Sequence, residues 1–279
     1  MRLIGTTALV TGGSRGIGEG IARKLVEAGA RKVVITYFAR RAAADKVVGV
    51  LRGLGAEAMA VHYDQSLPAE TERLFKTVAD SFGGLDIFVS NARPELATFF
   101  EPLDTIPLEK FEHAFAAQSR AFHLEVRNAL PLMTKGGRLF AITYAPSSRT
   151  GSWQPWAPMG AAKAAVESLV RYYAVLLAAR GITVNAVSPG ITEDSVINGL
   201  PPEARANLQH WSESGWIPMR RLATHDDIGN AVALLSTRQA DFITGQTLYV
   251  DGGTSLMDPS FPLPLQWPAV DAQPVGAAA

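Results

Sequence analysis

The sequence predicts an α/β fold in which helices cover both faces of a parallel sheet of about seven strands, all within a single domain. The chain has 279 residues, of which 47% are hydrophobic, enough to bury one sizeable core. Short apolar runs rich in β-branched residues alternate with longer segments of helical periodicity. Some of these runs are continuously apolar, as at residues 87–89 and 139–142. Such runs are typical of strands that helices cover on both sides.

Seven runs are predicted to be strands, and each is separated from the next by room for a helix. They comprise residues 7–10, 32–36, 58–62, 85–90, 137–143, 183–188 and 247–250. This alternation predicts a doubly wound parallel sheet, because parallel neighbours need crossover connections of helical length. After the first run, Ile17, Ile21 and Leu25 recur at helical spacing, which predicts the first helix.

The remaining segments suggest how the domain is organised. Two longer helical stretches, residues 111–133 and 161–179, are candidate faces for a dimer. Prolines and glycines break the alternation over residues 191–225, which we interpret as an insertion that covers the substrate. We therefore predict one domain over residues 1–257. The tail at 258–279 contains five prolines, so it is either an ordered arm on a partner subunit or partly disordered.

Composition excludes several classes of function. Lysine plus arginine equals aspartate plus glutamate at 26 each, so no excess positive charge favours nucleic acid or an anionic membrane. The chain has no cysteine, which removes disulfides, thiolate nucleophiles and the common zinc ligand sets. No apolar run approaches the length of a membrane span. We expect a soluble cytoplasmic protein that binds small molecules or copies of itself.

A glycine-rich turn directly follows the first predicted strand and opens the first helix. It reads Thr11 to Gly18 (TGGSRGIG). Small residues there let a pyrophosphate approach the helix N-terminus, where free N–H groups and the helix dipole attract it. This placement predicts a Rossmann-type nucleotide site. The expected cofactor contacts in this turn are Gly12, Ser14, Arg15, Gly16, Ile17 and Gly18.

The end of the second strand distinguishes between the two nicotinamide cofactors. NAD is usually held there by an acidic side chain, but this strand runs into Tyr37, Phe38, Ala39, Arg40 and Arg41. Arg15, Arg40 and Arg41 can clamp a 2′-phosphate through charge-assisted hydrogen bonds. NADPH is therefore the predicted cofactor, and the alternative is a merely solvated arginine pair.

Together these motifs resemble the short-chain dehydrogenase/reductase superfamily. The resemblance rests on Thr11 to Gly18, on Asp64, on Asn91 with Ala92, on Asn185 with residues 188–190, and on residues 245–253. It implies that Asp64 bonds the adenine edge, that Asn91 and Ala92 line the cofactor near the ribose, and that Pro189, Gly190, Ile191 and Thr192 lie at the nicotinamide end. It also implies a homodimer or homotetramer.

The sequence departs from the family pattern at the catalytic residues. The family's hallmark is a Tyr-x-x-x-Lys pair, and here Met159 stands where the tyrosine belongs, while Lys163 is kept. Methionine carries no transferable proton. The usual serine at the end of the fifth strand is replaced by Thr143-Tyr144, and the family asparagine by Gln118. The standard ketone chemistry therefore loses its acid, whereas Lys163 can still bind the nicotinamide ribose.

The enoyl-thioester reductase branch of the superfamily, which includes enoyl-ACP and enoyl-CoA reductases, resembles this pattern more closely. That branch has a methionine between a tyrosine and the lysine, with the tyrosine seven residues before the lysine. Here Trp156 holds that position, and Tyr144 matches a tyrosine at the end of the fifth strand. The chain also resembles the cyclohexenylcarbonyl-CoA reductases in size and in lacking the usual tyrosine and serine.

From these residues we predict a catalytic set of Tyr144, Trp156 and Lys163, with Tyr144, Trp156 and Met159 contacting the substrate. Tyr144 can donate to a developing enolate oxygen, the Trp156 indole is a second candidate donor, and Lys163 adds positive charge. The structural alternatives are a packed tyrosine, a tryptophan that anchors a loop and a methionine that fills a gap. Ser147 or Ser148 is a further candidate for the missing serine.

Other residues give weaker indications. His113, His123 and Glu125, with Arg120 and Arg127, resemble a solvated or subunit-facing helix surface rather than a metal site, so no metal is predicted. An apolar pocket for an acyl group and CoA-phosphate contacts are also candidates. The pocket residues are Trp153, Trp156, Leu200, Trp211, Trp216 and Ile217, and the CoA contacts are Arg220 and Arg221.

The predicted function is NADPH-dependent reduction of a C=C bond conjugated to a CoA or carrier-protein thioester. The alternatives are a carbonyl or imine reductase that uses Tyr144 as a displaced acid, and a non-catalytic nucleotide-binding protein that kept the fold.

Overall fold

The computed structural model describes residues 3–134, 136–144, 154–193, 197, 200–258, 260 and 263. Its centre is a parallel sheet with the strand order β3-β2-β1-β4-β5-β6-β7. The strands are β1 (Thr7–Val10), β2 (Lys32–Tyr37), β3 (Glu57–His62), β4 (Ile87–Ser90), β5 (Gly137–Ile142), β6 (Ile182–Pro189) and β7 (Thr247–Val250). The predicted doubly wound parallel sheet is confirmed, and each predicted strand matches an observed one to within two residues at either end.

Helices cover both faces of this sheet. They are α1 (Gly16–Glu27), α2 (Arg41–Gly53), α3 (Pro68–Phe82), α4 (Leu108–Phe115), α5 (Ala121–Ala129), α6 (Ala157–Leu177), α7 (Pro202–Trp211) and α8 (His225–Leu235). Helices α1, α2 and α8 pack on one face, and α3, α5 and α6 pack on the other.

The side chains of the central strand β1 point alternately to the two faces of the sheet, so the strand contributes to a hydrophobic core on each face. Val10 pairs with Ile35 and Val89, and these three belong to the core under α1, α2 and α8. The adjacent Leu9 pairs with Val34 and Phe88 on the opposite face. Successive side chains of a strand point to opposite faces, so a continuous apolar run buries both sides of the sheet.

The predicted helix over residues 111–133 is interrupted. A π-helical stretch at Ala116–Arg120 separates α4 from α5, and a short 3₁₀ turn at Leu130–Leu132 ends the segment. The Gln118 side chain donates from Nε2 to the carbonyls of Ala92 (3.2 Å) and Ala117 (2.8 Å). Such π-bulges concentrate at functional sites, and this one joins the helix to the loop after β4.

Helix α1 is held at the sheet by close contact with α8. A Cβ atom on Gly20 would lie 2.6 Å from the carbonyl oxygen of His225, and one on Gly229 would lie 2.6 Å from the carbonyl oxygen of Gly20. Thr224 caps α8 through a reciprocal capping box with Asp227. This packing fixes the direction in which the N-terminus of α1 points.

The segment after β6 contains helix α7 followed by a π-helical turn at Ser212–Trp216, with Gly215 at a positive φ of 108°. No helix of the described residues is long and apolar enough to cross a membrane. Ser147, Ser148, Trp153 and most of the Pro-rich tail lie outside the described residues, so the predictions made for them remain predictions.

Candidate active site

A cavity of about 1070 Å³ opens along the carboxyl ends of the strands, where ligands of doubly wound folds bind. Its walls include most of the residues selected from the sequence. These are Gly12, Arg15, Gly16, Ile17, Gly18, Arg40, Asp64, Asn91, Ala92, Tyr144, Trp156, Met159, Lys163, Pro189, Gly190, Ile191 and Thr192. Ser14 and Arg41 are not among the lining residues. The structure thus gathers widely separated parts of the chain into one site.

The glycine-rich turn leaves no room for a side chain where its backbone meets neighbouring atoms. A Cβ atom on Gly18 would lie 2.4 Å from the Gly12 carbonyl oxygen and 2.6 Å from Asn91 Nδ2. Arg15 occupies the N-cap of α1, and its side chain, unlike serine or aspartate, cannot accept a hydrogen bond from the first turn. The N–H groups of that turn are therefore suited to an anion such as a pyrophosphate.

Hydrogen bonds fix the ends of β1 and β4 beside this turn. The Thr11 hydroxyl accepts from the backbone N–H groups of Asn91 (2.9 Å) and Ala92 (3.0 Å), and Asn91 Nδ2 donates to the Thr11 carbonyl at 2.8 Å. The Gly12 N–H donates to Thr36 Oγ1 at 3.0 Å, which adds the end of β2. This wall of the cavity is therefore preorganised for a ligand.

The far end of the cavity has the features expected for an adenosine 2′-phosphate. Phe38 and Arg40, which follow β2, line it together with Arg15 of the glycine-rich turn, and the residues at the end of β2 include no carboxylate. Asp64, predicted to meet the adenine, accepts from the Ser66 N–H (2.9 Å) and hydroxyl (2.7 Å). Arg41 instead lies at the start of α2, 3.6 Å from the Asp45 carboxylate. One of the two consecutive arginines thus faces the site.

The other end of the cavity carries the candidate catalytic groups. Lys163 is only 7% exposed, and its Nζ donates to the Ile142 carbonyl at the end of β5. Burial lowers the pKa of Lys163 to about 8, and the Glu125 carboxylate acts in the opposite direction. Burial raises the pKa of Tyr144, so its hydroxyl keeps its proton at neutral pH. Both side chains line the same cavity.

Met159 and Trp156 form an apolar wall beside these groups. Met159 is almost fully buried, and Trp156 packs edge-to-face on Phe99 with ring centroids 5.1 Å apart. The Tyr144 ring lies 5.5 Å from the Trp156 ring. Trp156 is therefore both part of a small aromatic core and part of the cavity wall. Its predicted role as a hydrogen-bond donor remains a prediction.

The interpretation of Glu125 as part of a solvated surface is wrong. It is 1% exposed, and its two carboxylate oxygens accept from Tyr63 Oη (2.9 Å) and Ser90 Oγ (2.6 Å). Burial raises the pKa of this carboxyl group. The signal in the sequence was its position: residue 125 lies three after Phe122, which faces the core. Neighbouring charges at 120, 123 and 127 obscured that periodicity.

Sequence reasoning missed several cavity residues, among them Arg93 and His113. Arg93, directly after Asn91 and Ala92, lines the cavity, and its charge lowers the pKa of Lys163. His113 of α4, interpreted as a surface residue, also lines the cavity. An arginine immediately after two cofactor-lining residues was the available signal for the first. Among the described residues, no group of three or more histidine and carboxylate side chains is arranged to hold a metal ion.

The predicted acyl pocket is only partly assembled. Leu200 and Trp211 line the cavity, whereas Trp216 and Ile217 do not. Trp216 stacks on Trp211 from outside, and Ile217 is buried near Gly252. Arg221 pairs with Asp227 at 2.6 Å, and neither it nor Arg220 is among the lining residues. Helix α7 adds Ala204, Asn207 and Leu208 to this part of the cavity wall.

Comparison with known proteins identifies the family. Residues 12–255 match the family described as Enoyl-(Acyl carrier protein) reductase. The chain belongs to this family of short-chain dehydrogenases/reductases. It is 36% identical to 1-cyclohexenylcarbonyl-CoA reductase from Streptomyces collinus over 91% of this chain and 88% of that protein. It is 33% identical to the hydroxynaphthalene reductase-like protein Arp2 from Metarhizium guizhouense over 90% of this chain and 96% of that protein.

Solved short-chain dehydrogenases share the fold. A member from Burkholderia cenocepacia, solved in complex with NADP, superimposes with a TM-score of 0.81 at 32% identity, covering 91% of this chain and 99% of that one. The prediction of an NAD(P)-dependent oxidoreductase of this family is confirmed. Met159 is buried and lines the same cavity as Lys163, one helical turn before it on α6.

Proposed function

We propose that the protein catalyses NADPH-dependent reduction of a C=C bond conjugated to a thioester, carried by CoA or an acyl carrier protein. The observation that carries this proposal is that the candidate proton donor is Tyr144 and not the residue at position 159. Met159, one helical turn before Lys163, is buried and carries no transferable proton. Tyr144, two residues after β5, instead brings a tyrosine to the cavity wall next to Trp156.

The residues of the cavity fit NADPH. The first turn of α1 would hold the pyrophosphate, Arg15 and Arg40 the 2′-phosphate, and Asp64 the adenine edge. Asn91, Ala92 and Lys163 would hold the nicotinamide ribose, with residues 189–192 at the nicotinamide end. When bound, NADPH supplies the hydride. NADP in a structural relative supports this assignment.

The side chains of this chain would stabilise the charge that develops on the substrate. Tyr144 holds its proton firmly because burial raises its pKa, so it can donate a hydrogen bond to the thioester oxygen as an enolate forms there. Lys163 adds positive charge and orients the ribose. Trp156, Met159, Leu208 and Trp211 would receive the acyl group and exclude water. The proton for the α-carbon would come from Tyr144 or from water.

A carbonyl or imine reductase is the second candidate. The hydroxyl of Tyr144 could protonate an alkoxide, and similarity to a protein named as hydroxynaphthalene reductase-like supports a substrate other than a thioester. In either case we expect a homodimer or homotetramer, which the exposed Tyr172, Val175 and Leu176 of α6 support. Sedimentation of the purified protein would measure the oligomeric state.

The test is NADPH oxidation by the purified protein with α,β-unsaturated acyl-CoA thioesters, matched ketones and matched imines. Enoyl thioesters should be turned over, and Tyr144→Phe should lower kcat by about 10²-fold or more, as the loss of one oxyanion donor does. Tyr249→Phe, at a tyrosine of β7 that does not line the cavity, is the matched control. Turnover of ketones or imines alone would establish the second candidate. NADPH binding without turnover of any substrate would favour the non-catalytic alternative.

A further inference from the structure

The loop after β4 places a guanidinium group at the reacting end of the cavity. The backbone before Arg93 is fixed at two points: the Ala92 N–H donates to Thr11 Oγ1 at 3.0 Å, and the Ala92 carbonyl accepts from Gln118 Nε2 at 3.2 Å. The Arg93 side chain is half-buried and lines the cavity together with Tyr144 and Lys163. The backbone from which this side chain extends is therefore held in place.

The guanidinium group of Arg93 donates from Nη1 to the adjacent Pro94 carbonyl at 3.0 Å. An arginine stays charged at all relevant pH values and presents its donors in a planar fork. Its charge reaches Lys163, whose pKa it lowers. The wall of the cavity is largely apolar and includes Trp156, Met159 and Trp211.

Two cations at an apolar wall form a site that favours negative charge. A low-dielectric surrounding strengthens the attraction between a fixed cation and an anion. In the reduction proposed above, hydride addition to the β-carbon breaks the C=C π bond. Its electron pair then spreads over the α-carbon and the thioester oxygen until a proton completes the α-carbon, while NADPH becomes NADP⁺. The charge that must be stabilised is thus an oxyanion.

Glu95, exposed on the same loop, and His113 of α4 also line the cavity. The carboxylate of Glu125 is held by Tyr63 and Ser90 instead. The guanidinium is therefore the permanent cation that this loop brings to the cavity.

We propose that Arg93 is a catalytic residue that binds the developing oxyanion of the substrate, as a second donor beside Tyr144. This inference rests on the proposed function insofar as it assumes that an oxyanion forms. It assigns the role of second donor, for which the sequence suggested Trp156, to a charged group. It also predicts that the cavity prefers an anionic oxygen to a neutral one of the same shape.

A binding experiment tests this preference without turnover. Hexanoate and hexanamide have nearly the same shape, but only the first carries a negative oxygen. Each is titrated calorimetrically into the protein saturated with NADPH, whose reduced nicotinamide ring adds no positive charge. The wild type should bind hexanoate at least about tenfold more tightly than hexanamide, as expected for a hydrogen bond to a charged group.

Three variants make the test specific. Arg93→Met should lose the preference for hexanoate, whereas Arg93→Lys should retain part of it because the charge remains. Arg238→Met removes an exposed arginine outside the cavity and should retain it fully. Unchanged NADPH affinity in each variant reports an intact fold.

The outcome does not depend on which substrate is found. Equal preference in the wild type and Arg93→Met, or no preference in the wild type, would overturn the role of Arg93. If enoyl thioesters are turned over, Arg93→Met should lower kcat on the order of 10²-fold with little change in KM, and an unchanged kcat would equally overturn it. If no thioester reacts, the proposed function fails, while the hexanoate comparison still decides the assignment of Arg93.

Discussion

Replacing Arg40 with methionine tests how the cavity distinguishes NADPH from NADH. Arg40 lines the cavity after β2, whereas its neighbour Arg41 lies beside Asp45 at the start of α2. Arg40→Met should therefore weaken NADPH binding and leave NADH binding nearly unchanged, because only NADPH carries the 2′-phosphate. Methionine keeps most of the length of the side chain and removes the charge.

The size of the expected change in the Kd for NADPH follows from the solvent exposure of Arg40. A hydrogen bond to a charged group contributes roughly 1.5–3 kcal/mol. Arg40 is solvent-exposed, so screening reduces this to about 1–2 kcal/mol. At 1.4 kcal/mol per factor of ten, the Kd for NADPH should rise about 5- to 30-fold. Arg15, which lines the same end, would retain the remaining preference for NADPH.

Quenching of protein fluorescence, titrated with each cofactor at a fixed ionic strength, measures both Kd values. Arg41→Met is the matched control and should change neither by more than about twofold, since an exposed arginine paired on its own helix contributes little. The reasoning would be refuted if Arg41→Met weakened NADPH as much as Arg40→Met. It would also be refuted if Arg40→Met weakened both cofactors equally, because the contact would then not involve the 2′-phosphate.

Three further predictions concern pH and stability. Burial lowers the pKa of Lys163 to about 8, so kcat/KM should fall as the pH rises through that value, because the lysine then loses its charge. A flat profile of kcat/KM between pH 7 and 9 would contradict this role of Lys163. Thr224→Ala removes the capping box of α8 and should lower the free energy of unfolding by about 1 kcal/mol, as urea denaturation would measure. The Kd for NADPH, measured by fluorescence titration, should not change. Thr105→Ala, on an exposed loop, is the control. Glu125→Leu removes the acceptor of the partly buried Ser90 hydroxyl and of the buried Tyr63 hydroxyl, which keeps its contact with Thr71 Oγ1. The loss of an acceptor costs about 1–3 kcal/mol for a buried group, so the Tm of Glu125→Leu should fall further than that of Glu125→Gln, which keeps an acceptor oxygen. Equal Tm values would argue against the two hydrogen bonds.

The strands could be predicted from the sequence because each is an apolar run between turn residues. The run at residues 7–10 is observed as Thr7–Val10, and the run at 247–250 as Thr247–Val250. The glycine-rich turn was equally predictable, since its function depends on the absence of side chains. A Cβ atom on Gly18 would overlap the Gly12 carbonyl, so the glycine in the sequence directly indicates this close backbone contact.

Other features depend on contacts that periodicity does not encode. The break between α4 and α5 arises where Gln118 bonds the loop after β4, and the residues of that break read as ordinary helix formers. Arg40 and Arg41 are adjacent and chemically identical, so only the start of α2 decides which one faces the cavity. Glu125 is buried because Tyr63 and Ser90, distant in sequence, supply its hydrogen bonds.

The placement of the tyrosine also bears on the choice between enoyl and carbonyl chemistry. A proton donor at position 159 would lie one helical turn from Lys163, where positive charge makes a tyrosine easier to ionise. Tyr144 stands on a strand end instead, and burial raises its pKa. A ketone reductase must transfer the proton of its donor to an alkoxide, which a raised pKa opposes. Enoyl reduction in which water protonates the α-carbon requires only that the hydroxyl donate a hydrogen bond to the oxygen while that oxygen is anionic. A tyrosine that holds its proton is better suited to the second task.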